Sequence, residues 1–110
     1  MVGSAGANPK QAMKRELVIR PEAEAELREA FDWYEERVQG LGSEFLISVD
    51  ATIHALSRKP QQFAKVHKTI RRALLRRFPF AVYFLVEDTR IIVLAIFHAK
   101  RDPKHWHERK

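Results

Sequence analysis

The sequence predicts an α+β fold: an N-terminal strand, then an antiparallel helical hairpin packed on a mostly antiparallel four-stranded sheet, in the order β-α-α-β-β-β. Three observations predict it. Apolar residues recur at helical spacing in two stretches before Pro60. After Pro60 the pattern turns strand-like, with two nearly continuous apolar runs. The links between the two helices and between the last two strands are short, which favours antiparallel neighbours.

Residues 1–12 hold small and turn-forming side chains without periodicity, and Met13-Lys14 reads like a natural start. We expect an expression remnant or disordered arm over 1–12 and one domain over 13–110. Residues 16–20 read as a short strand carrying Leu17, Val18 and Ile19. Pro21 suits the first position of a helix, where its missing N–H costs nothing. Leu27, Phe31, Tyr34 and Val38 then form one helical stripe, with Glu22, Glu24 and Glu26 near the positive end of the helix dipole. Gly40 and Gly42 are expected to end this helix, and Ser43 to cap the next. The second stripe is Leu46, Val49, Ile53 and Leu56, with Phe45 alongside, and Pro60 stops it. Residues 64–68 and 70–78 are strand candidates. Residues 79–86 and 91–97 read as strands buried on both faces, joined through Glu87-Asp88-Thr89-Arg90.

Composition narrows the function. The chain has 110 residues, enough for one modest core. No apolar run approaches the roughly 20 residues of a membrane span, and no apolar segment follows a basic start as in a signal peptide. No cysteine is present, which excludes disulfides and thiolate chemistry and fits a cytoplasmic location. The net charge of +6 is uneven. Residues 13–64 hold 7 Lys/Arg against 10 Asp/Glu, whereas residues 65–110 hold 12 against 4. A basic C-terminal half points to an anionic partner, nucleic acid or an acidic protein.

There is no glycine-rich phosphate loop and no nucleophile elbow. Glu22, Glu24, Glu26 and Glu29 read as a solvated helix face. His105-Trp106-His107 with His98 lacks the ligand spacing of a metal centre, so no metal and no cofactor is expected. The strongest cluster is Arg71, Arg72, Arg76 and Arg77, because guanidinium groups bind phosphate or carboxylate with two hydrogen bonds. In an unbroken strand Arg72 and Arg76 share one face, and Arg71 and Arg77 the other. The same arginines also suit an edge strand protected from aggregation by charge. After the last apolar run come His98, Lys100, Arg101 and Trp106. His98 suits acid–base work or a strand-end hydrogen bond. Trp106 suits stacking on a base, plugging an apolar groove, or anchoring the tail.

Taken in order, these pieces resemble the RelE/ParE superfamily, the toxins of bacterial type II toxin–antitoxin modules. The resemblance covers roughly residues 14–108. It rests on Arg20-Pro21 and the alternating glutamates after it, on Asp32-Trp33-Tyr34-Glu35, and on Gly42 with Phe45. It continues through Phe78-Pro79-Phe80 with Phe84, and through Val93-Leu94, His98, Arg101-Asp102-Pro103 and Trp106.

The resemblance implies a small basic toxin silenced by a cognate antitoxin whose acidic, amphipathic segment folds as it binds. Arg71, Arg72, Arg76 and Arg77 would meet its carboxylates. With Lys100, Arg101 and Trp106 they are the expected target- or antitoxin-binding residues. Without antitoxin, exposed apolar surface would favour a homodimer. RelE-like members cut mRNA in the ribosomal A site, whereas ParE-like members inhibit DNA gyrase without cutting nucleic acid. The sequence departs from the mRNA-cutting pattern twice. Ala81 follows Phe80 where those toxins commonly carry arginine, and Trp106 stands where they commonly carry a catalytic tyrosine. Indole exchanges no proton near neutral pH, and cleavage needs both charge stabilisation and proton transfer. The gyrase-directed reading is therefore preferred, with no catalytic residue. The alternative is a ribosome-dependent endoribonuclease using Arg77, Tyr83, His98 and Arg101. A third reading is a non-toxic member acting with its antitoxin as a regulator.

Overall fold

A computed structural model of the chain describes residues 15–100. The expectations for residues 1–12, Arg101 and Trp106 lie outside them. The described elements run β1 (Glu16–Ile19), α1 (Pro21–Arg37), α2 (Leu41–Arg58), a 3-10 turn (Pro60–Gln62), β2 (Lys65–His67), β3 (Ile70–Leu74), β4 (Phe80–Val86) and β5 (Arg90–His98). The strands form one sheet in the order β1-β5-β4-β3-β2. β1 runs parallel to β5, and every other pair is antiparallel. The sheet has five strands, not four. Counted beyond the four is the three-residue β2, which lies within the strand candidate 64–68 and pairs with β3 across an irregular register.

α1 begins with Pro21 in its first turn and Glu22 and Glu24 at its positive end. Its buried line is Ala23, Ala30 and Tyr34, with Leu27 half-buried between them; Val38 is exposed. α2 starts at Leu41, earlier than Ser43 suggested. Gly40, in the left-handed region at φ 89°, makes the turn. The carboxylate of Glu35 accepts hydrogen bonds from the N–H groups of Gly40 and Gly42, both at 2.9 Å. It thereby satisfies backbone donors at the start of α2 that no side chain of the turn caps. Gly42 lies inside α2, where the helices touch. A methyl group there would sit 2.8 Å from the ring and the carbonyl oxygen of Phe31.

The hairpin covers one face of the sheet. Phe45, Val49 and Leu56 of α2 and Ala23, Ala30 and Tyr34 of α1 meet Ala73, Val82, Phe84, Ile91, Val93 and Ile96. At its centre the Tyr34 and Phe45 rings contact Phe78 and Phe80 at centroid distances of 4.9–6.0 Å. Edge-on aromatic pairs of this kind add about 0.5–1.5 kcal/mol each beyond area burial. The other face carries Ile70, Ala81, Tyr83, Ile92, Leu94, Ala95 and Phe97, all buried. The doubly buried character expected of the last two strands is thus observed.

β3 ends at Leu74 instead of continuing to Phe78. The Leu75 N–H donates to the Phe80 carbonyl at 2.9 Å and closes a turn, which frees Phe78 to drop into the aromatic cluster. The strand alternation expected for Arg76 and Arg77 therefore does not apply, because both lie in the turn. Among the described residues no helix is long and apolar enough to cross a membrane.

Candidate functional site

The expected basic residues separate into distinct settings. Arg71 and Arg72 alternate on β3. The Arg71 guanidinium turns toward the hairpin side, where its Nη1 donates to the Phe63 carbonyl at 2.6 Å. Arg72 pairs across the strands with Tyr83 on the other face. Their side-chain hydrogen bond and the guanidinium charge pull the phenol pKa down, but burial outweighs them and holds it above its usual value. Arg76 is exposed in the turn. Arg77 points back to the hairpin and binds Glu44 of α2, Nη2 to Oε1, at 3.0 Å. Lys100 is exposed in the turn after β5, and its N–H donates to Nδ1 of His98 at 3.1 Å.

A bulge decides where His98 goes. Along β4 and β5 the pairing steps from Tyr83↔Ala95 to Phe84↔Val93, so Leu94 is the extra residue. Leu94 and Ala95 consequently belong to the same face. Past the bulge the parity is inverted. Ile96 joins the hairpin-side core, and His98 stands opposite Phe80, its ring centroid 5.8 Å away. Arg77, Tyr83 and His98 thus do not converge, and Arg101 lies outside the described residues. Buried Tyr83 is held in its neutral form, which is poorly suited to proton exchange near neutral pH. Among the described residues no group of three His, Cys, Asp or Glu side chains can hold a metal ion.

Sequence reasoning missed a cleft between α1 and the end of the sheet. It encloses about 510 Å³ and is lined by Glu26, Glu29, Trp33, Tyr34, Phe80 and His98 among others. Glu26 is not simply part of a solvated face. Its Oε1 accepts the Ile96 N–H at 3.0 Å, just beyond the point where β1 stops pairing with β5. The available signal was spacing, since Ala23, Glu26 and Ala30 follow one another at +3 and +4, on one helix stripe. At the rim, the Arg37 guanidinium stacks 3.5 Å from the centre of the Trp33 ring, itself 52% exposed.

With a helical hairpin on one face of the sheet and cations distributed around it, comparison with known proteins is decisive. Residues 17–103 match the family model of the ParE toxin of the type II toxin–antitoxin system, parDE. The chain belongs to the ParE toxin family. Toxin ParE2 of Mycobacterium tuberculosis, from strains CDC 1551 / Oshkosh and ATCC 25618 / H37Rv, is 29% identical over 92 residues. That match spans 83% of this chain and 88% of the relative. A chain in the solved chromosomal ParDE TA system from P. aeruginosa superposes with a TM-score of 0.67 at 22% identity, covering 78% of this chain and 97% of that one. The last likeness is one of fold. This member of the family displays arginines from the β3–β4 connection and an aromatic, acidic cleft beneath α1.

Proposed function

We propose that the protein is the toxin of a type II toxin–antitoxin pair, inhibits DNA gyrase, and is neutralised by a cognate antitoxin. The observation that carries the gyrase-directed part is the dispersal of Arg77, Tyr83 and His98. An RNA-cleaving site needs its cation and its proton carriers around a single phosphate. Here one candidate is tied to Glu44, one is buried on the far face beside Arg72, and one lines the cleft. Membership of the ParE family supports the toxin reading, and the likeness to a ParDE chain supports an antitoxin partner. Exposed Arg76 and the Glu44-paired Arg77 are the arginines best placed to meet antitoxin carboxylates. In the absence of that partner, exposed Val38, Leu46 and Ile47 on the hairpin favour self-association.

The deciding experiment is gyrase supercoiling of relaxed plasmid with the purified protein, alone and premixed with its antitoxin. Inhibition or trapped cleaved DNA that the antitoxin reverses is the expected result. Full gyrase activity at large excess, together with cut mRNA in translating ribosomes, would overturn it in favour of the endoribonuclease reading.

A further inference from the structure

The charge of the domain is divided between its two sides. Residues 51–86 hold eight Lys/Arg and no Asp/Glu, whereas α1 alone holds seven Asp/Glu against Arg28 and Arg37. α1 packs against β5, while β2 forms the sheet edge remote from it. Part of the basic run is engaged within the fold: Arg71 holds the Phe63 carbonyl, Arg72 lies beside Tyr83, and Arg77 binds Glu44. Arg58, Lys59, Lys65 and Lys68 differ from these. All four are exposed, and none takes part in an ion pair among the described residues.

The fold gathers these four at the C-terminal end of α2. Arg58 closes the helix and Lys59 follows it. The 3-10 turn then carries the chain to β2, pinned by Arg71 at Phe63 and by the Arg72 N–H, which donates to the Ala64 carbonyl at 3.0 Å. Lys65 stands opposite Arg71, whose partner Phe84 belongs to the hairpin-side core, so Lys65 shares the face on which α2 ends. Lys68 occupies the turn into β3 at φ 50°, a left-handed conformation that suits glycine better than lysine. Folding alone therefore does not account for a cation there. Charge in the last turn of a helix offsets its dipole, and lysine on an edge strand opposes pairing with another chain. Those roles cover Arg58 and Lys65, but not Lys68 or the absence of every acid from 51 to 86. The side chains between the cations include exposed Gln61, Gln62 and Thr69, and Val66 is the one large apolar side chain exposed over residues 58–69. Protein interfaces centre on buried aromatic or aliphatic anchors, whereas nucleic-acid interfaces are polar and strongly positive.

We propose that this edge is a sequence-independent seat for duplex DNA, with Arg58, Lys59, Lys65 and Lys68 on the phosphates. The choice of DNA over RNA rests on the gyrase-directed reading, because gyrase works on a DNA duplex. The seat is separate from the arginines assigned to the antitoxin. Glu44, the partner of Arg77, and Arg58 lie fourteen residues apart on α2, about 21 Å along its axis at 1.5 Å per residue. A toxin held on DNA at this edge still offers the β3–β4 turn to its antitoxin.

The test is binding of the purified full chain to a fluorescein-labelled DNA duplex of arbitrary sequence, read by anisotropy across a salt series without gyrase or antitoxin. Each phosphate contact adds about 0.9 to the steepness of log affinity against log salt, so the four cations contribute about 3.6. Arg58→Gln, Lys65→Gln and Lys68→Gly together should remove about 2.7 of that steepness and weaken binding at low salt by at least about tenfold. Lys68→Gly alone should bind several-fold more weakly yet resist denaturant at least as well as the unaltered chain, because glycine suits the backbone there. Arg20→Gln, Arg28→Gln and Arg37→Gln together remove the same charge on the α1 side and should leave DNA binding nearly unchanged. No DNA binding at low salt would overturn the proposal. So would an equal loss in the α1-side variant, or tighter binding to polyglutamate or to duplex RNA of the same sequence. A chain that inhibits gyrase but binds no DNA would remove this seat alone, whereas DNA bound through these cations with gyrase unaffected would remove only the gyrase reading.

Discussion

Tyr83 and His98 lie on opposite faces of the sheet, and the extra residue Leu94 is the reason. Were Leu94 held in a regular ladder instead of bulged, β5 would alternate unbroken from Ile91, and His98 would share the face of Tyr83 and Arg72. That arrangement would place a phenol, an imidazole and a guanidinium together. The bulge instead sends His98 to the cleft under α1. The bulge therefore keeps the phenol of Tyr83 and the imidazole of His98 apart.

Substitution of these residues should separate toxicity from chemistry. Tyr83→Phe and His98→Ala, expressed without antitoxin, are expected to arrest growth as fully as the unaltered protein does. Loss of arrest in both variants, with each still folded by circular dichroism, would return proton-transfer chemistry to these positions.

Tyr83→Phe should carry a signature in stability. The variant loses the hydrogen bond between Arg72 and the phenol oxygen, which costs about 1 kcal/mol near neutral pH. Burial raises the pKa of Tyr83, and likewise that of Tyr34, in the folded protein. An unfolded tyrosine titrates near 10. Below about that pH both states hold the proton and the stabilisation is fully present. As pH rises further, the unfolded chain ionises first, and stability falls until the raised folded value is passed. Denaturant unfolding across this alkaline range should show a shallower fall in Tyr83→Phe than in the unaltered chain. Parallel curves would indicate that Tyr83 ionises as freely folded as unfolded.

The helical hairpin rests on a small number of contacts near Glu35. Glu35→Ala removes both acceptors of the Gly40 and Gly42 N–H groups, at a cost of about 2 kcal/mol. Glu35→Gln keeps one acceptor and should cost less. Gly42→Ala forces a methyl group to 2.8 Å from the Phe31 ring and carbonyl, so the helices must part, at about 1–3 kcal/mol. Gly40→Ala meets open space but a positive φ, and should cost about 1–2 kcal/mol through backbone strain alone. Chemical denaturation ranks the four variants. A neutral Gly42→Ala would show that the hairpin has slack at this crossing.

Much of the fold was legible because its signals are local. Pro21 and Pro60 bracket the hairpin, and the apolar runs over 80–86 and 91–97 need only their own composition to read as buried strands. The site was less legible because its geometry is made by distant pairs. Nothing near Leu94 in the sequence announces a bulge, yet that one residue reverses every side chain after it. Arg77 lies 33 residues from Glu44 and Glu26 lies 70 from Ile96, so neither partnership leaves a local pattern. The break in β3 came from tertiary demand: Phe78 is worth more in the aromatic cluster than the run 75–78 is in a ladder. The stripe expected for α1 holds at Leu27 and Tyr34, which pack into the core, and fails at Val38, which stands just past the helix end. Ala23 and Ala30 complete the buried line with Tyr34, while Val38 is exposed.

The β3–β4 turn offers the clearest test of how an antitoxin would be held. Arg76 is exposed, and Arg77 is 70% exposed while bound to a half-exposed Glu44. An ion pair so open to solvent contributes at most about 1 kcal/mol to folding, so Arg77→Ala should leave stability nearly unchanged. An acidic antitoxin segment would take up both guanidinium groups, competing with Glu44 for Arg77. Reversing Arg76 and Arg77 to Glu would then oppose the partner's charge and add a like charge beside Glu44. Each close pair lost, at about 1.4 kcal/mol, corresponds to a tenfold loss of affinity. The loss should shrink as salt rises, because the groups lie within reach of screening ions. Titration calorimetry at two salt concentrations measures both effects. A double reversal that binds as tightly as the unaltered toxin at low salt would place the antitoxin on another face, away from this turn.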